Sequence, residues 1–160
     1  MIMELLHYSD KRLKDAASAF NFQDPPFDPI KFSHELVKFM YDNNVVCLTG
    51  PQVGVPCRVF AMRAAPENFV CFNPRVVMAS EDQVRLEEVS ATYPGLIVKV
   101  KRSQHCRVRF NTPNGDIRTE TFTGLTARTF QHCMDFLDGE VFYRKANPIH
   151  REQALRKWKK

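Results

Sequence analysis

The stretch QHCMDFLDG, residues 131–139, contains the residues whose types and spacing come closest to a catalytic motif. A zinc-hydrolase helix of the H-E-x-x-H kind carries two histidines four residues apart, with a glutamate directly after the first. Here His132 stands at the first histidine position, but Cys133 holds the glutamate position and Phe136 holds the second histidine position. The pattern therefore indicates a metal-site helix that lacks part of its ligand set.

Three helices are predicted to position this motif and its surroundings. Apolar residues recur at helical spacing in LTARTFQHCMDFL, residues 125–137, and Gly139 follows where a helix commonly ends. FDPIKFSHELVKFMYDNN has Asp28 as a cap and Pro29 in its first turn, and the final helix begins at Asn147 and Pro148. We expect the motif helix to turn one side towards the core, with these residues on or near it: Leu125, Phe130, Met134 and Leu137.

The strands predicted from the sequence are mostly joined by hairpins. CRVFAM and NFVCFN have the composition of short buried strands. LIVKVKRSQHCRVRF predicts one strand, or two with a break near Ser103, and Asn114-Gly115 predicts a hairpin. VVCLTGPQVGVP is predicted to be a turn-rich loop. Strands of this kind around a buried central helix predict the α+β class, with antiparallel or mixed strands and a C-terminal helix.

Composition and charge restrict the class of protein. The chain has 160 residues, 44% hydrophobic and 26% charged, as is ordinary for a globular domain, and no apolar run approaches the roughly 20 residues of a membrane span. Five cysteines without a C-x-x-C pair favour a reducing compartment over a disulfide framework. Residues 144–160 hold seven Lys or Arg and one Glu, so the basicity belongs to the tail. We expect one domain over residues 1–146, a basic helix over residues 147–160, and no signal peptide or membrane partner.

Three stretches together resemble the peptide deformylase family. VVCLTGPQVG at residues 45–54 is similar to its Gly-rich loop ending in Gln, and EVSATYPG at residues 88–95 to its E-G-C-L-S segment followed by Pro-Gly. QHCMDFLDG is similar to its Q-H-E-x-D-H-L-x-G, and the likeness covers nearly the whole chain, with a tail that looks most like phage-encoded members. The resemblance implies that family's fold, and an activity that removes the formyl group from the N-terminal methionine of new polypeptides. It also implies the cytoplasm of a bacterium or phage-infected host, or an organelle matrix.

In the family, one cysteine and two histidines hold Fe(II) or Zn(II). Carried onto this chain, the cysteine position is Ser90, the first histidine is His132, and the second histidine position is Phe136. Serine is a poor ligand for these metals at neutral pH, and phenylalanine offers no donor atom. We therefore expect no metal cofactor and no ordinary deformylase activity.

The family's catalytic positions are also changed. The glutamate that shuttles the proton falls on Cys133, and a glycine of the first loop falls on Cys47. The glutamine that stabilises the oxyanion is kept as Gln52, and the backbone donor after the metal cysteine falls on Ala91. Because the departures cluster at chemical positions while the framework is kept, they indicate repurposing, by evolution or by deliberate redesign.

Three functions remain open on the sequence alone. The first is a pseudoenzyme or inert scaffold that keeps the pocket and binds a peptide or a ribosome-like surface. The second is a cysteine hydrolase acting on a small ester, with Cys133 or Cys47 as nucleophile, His132 as base, and Gln52 and Ala91 as oxyanion donors. The third is a residual or altered metal site in which both cysteines join His132. Independently, the basic C-terminal helix predicts weak, salt-dependent contact with ribosomes or RNA, anchored to the body by Leu155 and Trp158.

Overall fold

Seven strands and three α-helices form the fold in the computed structural model, which describes residues 3–159. Every pairing between these strands is antiparallel. The α+β class predicted from the sequence is therefore confirmed. The helices are α1 (Pro29–Asp42), α2 (Gly124–Leu137) and α3 (Pro148–Lys159). The strands are β1 (Cys47–Thr49), β2 (Val59–Met62), β3 (Phe69–Ala79), β4 (Gln83–Ser90), β5 (Tyr93–Ser103), β6 (His105–Asn111) and β7 (Ile117–Thr123).

A five-stranded sheet in the order β1-β2-β3-β6-β7 lies between α1 and α2. All four residues of β2 are buried, because Phe60 and Met62 pack on the α2 side while Val59 and Ala61 pack on the α1 side. A strand covered on both faces explains the continuous apolar run in the sequence. The same alternation turns Cys47 of β1 towards the α2 side.

Strands β4 and β5 form a separate two-stranded sheet on the other side of α2. Consecutive residues on an α-helix diverge by about 100°, so neighbours on α2 face different sheets. Phe130 and Cys133 pack with the five-stranded sheet, whereas Phe136 packs with apolar residues of β5. Helix α2 is thus the central element, and the residues it presents to the two sheets belong to different apolar clusters.

Local sequence signals fix the helix ends. The Asp28 side chain accepts hydrogen bonds from the amides of Ile30 and Lys31 at 3.0 and 3.3 Å, which confirms the predicted start of α1. The Asn147 side chain accepts from the Ile149 amide at 2.9 Å at the start of α3. After α2, Gly139 has φ 71° and lies so close to Lys14 that a Cβ atom would be 2.6 Å from that residue's carbonyl oxygen. Only glycine fits there.

The basic helix α3 is anchored to the body by two apolar side chains. Leu155 and Trp158 pack against the apolar cluster of β5, as the sequence predicted. The indole Nε1 of Trp158 also donates a hydrogen bond of 2.8 Å to the carbonyl of Pro94. Lys157 and Lys159 remain exposed.

Several predicted elements need correction. Strand β1 lies inside the segment predicted to be a loop, and β4 was not predicted, because β1 has only three residues and many side chains of β4 are exposed and charged. Leu125 does not face the core but is 71% exposed, since it lies in the first turn of α2 at a pocket rim. The chain does break near Ser103, where it passes from the two-stranded sheet into β6, and Asn114-Gly115 does lie in a hairpin between β6 and β7. Across residues 3–159, no helix combines the length and the apolar composition needed to cross a bilayer.

Candidate functional site

A pocket of about 390 Å³ opens where β1, β4 and α2 meet. The layers described above explain its position, since it lies between the edge of the five-stranded sheet and the β4–β5 hairpin. Aliphatic side chains form part of its wall, and Cys47 and His132 lie on the same wall. The residues that line the pocket include Val46, Cys47, Arg63, Glu87, Glu88, Val89, Leu125, Arg128 and His132.

His132 is held by a carboxylate from β4. Its Nδ1 lies 2.8 Å from Oε1 of Glu88. Burial alone would raise the pKa of Glu88, but hydrogen bonds from Arg102 and His132 hold it at about 2. Because an ionised carboxylate can only accept, Nδ1 carries the proton, and Nε2 is the nitrogen of a neutral His132 that can accept another.

Glu88 is the centre of a buried network of charges. Arg102 donates to both of its oxygens at 2.8 and 2.9 Å, and Arg128 donates to Oε2. Arg102 also donates to Asp135 at 2.7 Å, while Arg128 donates to the carbonyl of Val100 at 2.9 Å. Two arginines and two carboxylates therefore compensate each other with little exposure to solvent, and the network fixes the orientation of His132.

Cys47 and Cys133 are neighbours with opposite properties. The neighbouring Cys133 thiol, together with His132, lowers the pKa of Cys47 to about 7 against the effect of burial. Burial, together with Cys47, raises the pKa of Cys133 well above its usual range. Cys47 is partly exposed at the pocket, whereas Cys133 is fully buried with the five-stranded sheet. Of the two, Cys47 has the character of a reactive thiol.

Gln52 and Ser90 are joined in a second buried network. Oε1 of Gln52 accepts from the amide and the hydroxyl of Thr49, both at 3.0 Å. Its Nε2 donates to Oγ of Thr92 at 2.9 Å and to Oγ of Ser90 at 3.4 Å. Both Nε2 hydrogens are thus used, and the loop after β1 is tied to the β4–β5 turn. Ala91 lies within that turn, half-buried.

Comparison with known protein families identifies the family of this chain. The model of the family described as polypeptide deformylase matches residues 2–152. The chain belongs to the polypeptide deformylase family. A peptide deformylase-like protein of Brucella melitensis biotype 1 is 29% identical over 160 residues, covering 98% of this chain and 95% of that protein. A peptide deformylase of Thermodesulfovibrio yellowstonii is 32% identical over 164 residues, covering 99% and 97%.

Solved structures of deformylases have the same fold. The crystal structure of peptide deformylase from Thermus thermophilus superimposes with a TM-score of 0.90 at 26% identity, covering 98% of this chain and 92% of that one. The deformylase fold predicted from the sequence is confirmed, including the central helix that carries the motif.

The residues at the family's ligand positions do not fit Fe(II) or Zn(II). Oγ of Ser90 accepts hydrogen bonds from Gln52 and from the Thr92 amide, and the side chain of Phe136 has no donor atom. Phe136 is 3% exposed, and its ring centre lies 5.6 Å from that of His132. Within residues 3–159, no three His, Cys, Asp or Glu side chains are grouped so as to hold one metal ion. Among these three positions, only His132 has a side-chain nitrogen that could bind a metal, since its Nδ1 is engaged with Glu88 and its Nε2 is not.

The structure brings some of the predicted site residues together and separates others. His132 and Cys47 share the pocket, whereas the wall formed by the described residues does not include Cys133, Gln52 or Ala91. The alternative metal site of His132, Cys47 and Cys133 is not formed, because Cys133 and His132 project from α2 towards different sheets.

Sequence reasoning missed the partners of His132. No group that orients its imidazole was identified, yet Glu88 does so from 44 residues earlier in the chain. Glu88 opens the EVSATYPG segment, so an acidic residue at the head of a recognised motif was the available signal. Asp135 carried a similar signal, because it stands at the aspartate of the motif that QHCMDFLDG resembles. Arg102 and Arg128 carry no such signal, because an arginine in a predicted strand or helix is ordinary.

Proposed function

We propose that this deformylase-family chain binds a small ligand in its pocket and has lost metal-dependent deformylation. One observation carries the proposal: Phe136 stands at the third ligand position and packs within an apolar cluster with Tyr93, Leu96 and Phe142. That position has no donor atom, and no rotation of the side chain supplies one. The pocket itself is open and lined by apolar and polar side chains, which suits a small ligand.

The remaining groups at the old centre support the same proposal. A catalytic zinc site uses three protein ligands and leaves the fourth position to water. Here Ser90 is engaged in neutral hydrogen bonds, and Cys133 replaces the proton-shuttling glutamate inside the core. A single imidazole does not hold Fe(II) or Zn(II) against water, so neither a metal-bound nucleophile nor its general base is present.

Elemental analysis and formate release test this proposal directly. The purified chain is expected to contain far less than one equivalent of Fe, Zn or Ni, and to release no formate from a formyl-Met peptide. His132→Ala is the matched control, since it removes the one remaining ligand and is expected to leave the metal content unchanged. Stoichiometric metal that disappears in His132→Ala, together with formate release by the unmodified chain, would overturn the proposal.

A second candidate function is thiol-dependent acyl transfer by Cys47. It is favoured by the lowered pKa of Cys47, by the shared pocket with His132, and by the carboxylate of Glu88 behind that imidazole. Together they have the chemical types of a nucleophile, a base and an orienting group. It ranks second because Gln52 has no free N–H to stabilise an oxyanion.

The chemistry of this second candidate is conventional. The Cys47 thiolate would attack the carbonyl of an activated ester, forming a C–S bond and breaking the C–O bond to the leaving alcohol. Nε2 of His132 would take the thiol proton and deliver it to the leaving oxygen, and water would then hydrolyse the thioester. A p-nitrophenyl ester measures the first step by its burst. Cys47→Ser is expected to abolish the burst and Cys133→Ala to keep one; a burst unchanged in Cys47→Ser would exclude Cys47 as nucleophile.

A further inference from the structure

The pocket contains two arginines in very different states. Arg128 is satisfied, because it donates to Glu88 and to the main-chain carbonyls of Val84 and Val100. Arg63 lines the same pocket, but within the described part of the chain its side chain has no hydrogen-bond acceptor and no carboxylate within 4 Å. The guanidinium of Arg128 therefore supports the structure, whereas the guanidinium of Arg63 has N–H groups that can bind a ligand.

Arg63 is nevertheless held in place. It follows the last residue of β2, and its amide donates to the carbonyl of Val46 at 2.8 Å. Its guanidinium carbon lies 3.8 Å from the centre of the Tyr41 ring on α1. Stacking on an aromatic face restricts the guanidinium while leaving its edges free for planar hydrogen bonds. Its Nε is buried without a hydrogen-bond partner among the described residues, a costly state that shows this guanidinium to be incompletely satisfied by the protein.

The acids of the pocket do not neutralise Arg63. Glu88 is already compensated by Arg102 and Arg128. Glu87 is exposed at the rim and stands opposite Lys99 in the β4–β5 pairing. The positive charge of Arg63 therefore faces a pocket whose other charges are balanced within the protein or lie at its rim.

We propose that Arg63 binds the carboxylate of a small aliphatic acid in this pocket, a proposal that rests on the ligand-binding function above. A carboxylate matches the fork of a guanidinium with two parallel hydrogen bonds. Val46, Val89 and Leu125 line the same pocket as exposed aliphatic residues, and they supply contact for an aliphatic tail. A volume of about 390 Å³ accommodates a ligand the size of an N-acylated amino acid.

Calorimetry with N-acetyl-leucine and N-acetyl-leucinamide tests the proposal, because the second probe replaces the carboxylate of the first by a neutral amide of nearly the same size. The full chain is expected to bind the acid at least tenfold more tightly than the amide. Arg63→Met keeps an apolar stem on Tyr41 and removes the donors, so it is expected to abolish this preference while leaving amide binding unchanged. Retained amide binding also shows that the variant is folded. Arg75→Met, an exposed arginine of β3, is the matched control and is expected to behave like the unmodified chain.

The outcomes separate this proposal from the function on which it rests. Equal binding of acid and amide by the unmodified chain would overturn the role of Arg63 and leave a ligand-binding pocket. A preference for the acid that survives in Arg63→Met would overturn the role of Arg63 as well. If neither probe bound, both the carboxylate site and the ligand-binding function would be overturned. The loss of deformylation is tested separately, by the metal content of the purified chain.

Discussion

Nδ1 of His132 donates to Oε1 of Glu88 at 2.8 Å, across the interface between α2 and β4. This contact links the only histidine at the old metal centre to a carboxylate that two arginines keep ionised. It fixes which ring nitrogen carries the proton. Glu88 and its two arginines thus orient the imidazole, while Ser90 and Phe136 stand at the two other positions that the family resemblance assigns to metal ligands.

Cys47 is expected to be the fast-reacting thiol. Its rate with iodoacetamide should rise with pH to half its maximum near pH 7, because the pKa of Cys47 is lowered to about 7. Cys133→Ala removes the neighbouring thiol that contributes most to this shift, so the midpoint should move to higher pH. Mass spectrometry of labelled peptides gives the rates site by site. Cys57, partly exposed with a pKa raised by burial, is the internal control; a Cys57 rate equal to that of Cys47 would contradict the prediction.

Glu88→Gln is expected to lower the free energy of unfolding at pH 7 by about 3–5 kcal/mol, because it leaves two buried arginines without their shared carboxylate. The pKa of Glu88 is depressed from 4.5 to about 2, so its contribution is present above pH 4.5 and is lost as pH falls through about 2. The difference in free energy of unfolding between Glu88→Gln and the unmodified chain should therefore decrease as pH falls between these two pKa values. Burial raises the pKa of Asp135, so its contribution to the free energy of unfolding changes with pH in the opposite direction. The quantity to measure is therefore the difference in free energy of unfolding between Glu88→Gln and the unmodified chain.

Urea denaturation at several pH values measures the effect of Glu88→Gln. Glu87→Gln is the matched control, because Glu87 is adjacent but exposed, and a change within about 0.5 kcal/mol is expected. If the two variants lost the same stability, the buried network would not be a source of stability.

Two restored ligands should recover zinc binding. Ser90→Cys with Phe136→His adds a thiolate and an imidazole next to His132, whose ring centre is 5.6 Å from that of residue 136. Phe136→His alone should destabilise, since removing a buried ring by truncation to alanine costs about 3–5 kcal/mol. Zinc at 100 times its Kd adds about 2.7 kcal/mol to a native state that binds it, or roughly 5–10 °C in Tm. Calorimetric melting with and without zinc shows whether only the double variant gains this increment; an equal gain in Phe136→His would mean that residue 90 does not contribute a ligand.

The basic helix α3 is predicted to give weak ribosome or RNA binding that fades with salt. Removing the helix would also expose the surface covered by Trp158, so charge reversal is the cleaner test. Lys157→Glu with Lys159→Glu changes two exposed side chains and should abolish co-sedimentation with ribosomes at low salt. Lys31→Glu on α1 with Arg107→Glu on β6 gives the same change of net charge at exposed side chains outside α3. Equal co-sedimentation of both double variants would mean that α3 is not the contact.

The sequence predicted the helices better than the site. Asp28 and Asn147 are local caps that act within three residues, so the starts of α1 and α3 could be located from neighbours alone. The fold followed from the resemblance in three separated motifs. Glu88 and His132 are in contact although they are 44 residues apart in the sequence. Cys47 rather than Cys133 borders the pocket because of the direction in which its side chain points from β1. Such contacts depend on how the two sheets are placed around α2, which no local pattern encodes.

The two-sided packing of α2 places residues 133 and 136 in different apolar clusters. A carboxylate at position 133 would enter the apolar cluster of the five-stranded sheet, and an imidazole at position 136 would enter that of β5. Each substitution alone would remove good packing without completing a metal site, so each single variant would be less stable than the present chain. A deformylase centre could therefore be built on this helix only by changing several residues together.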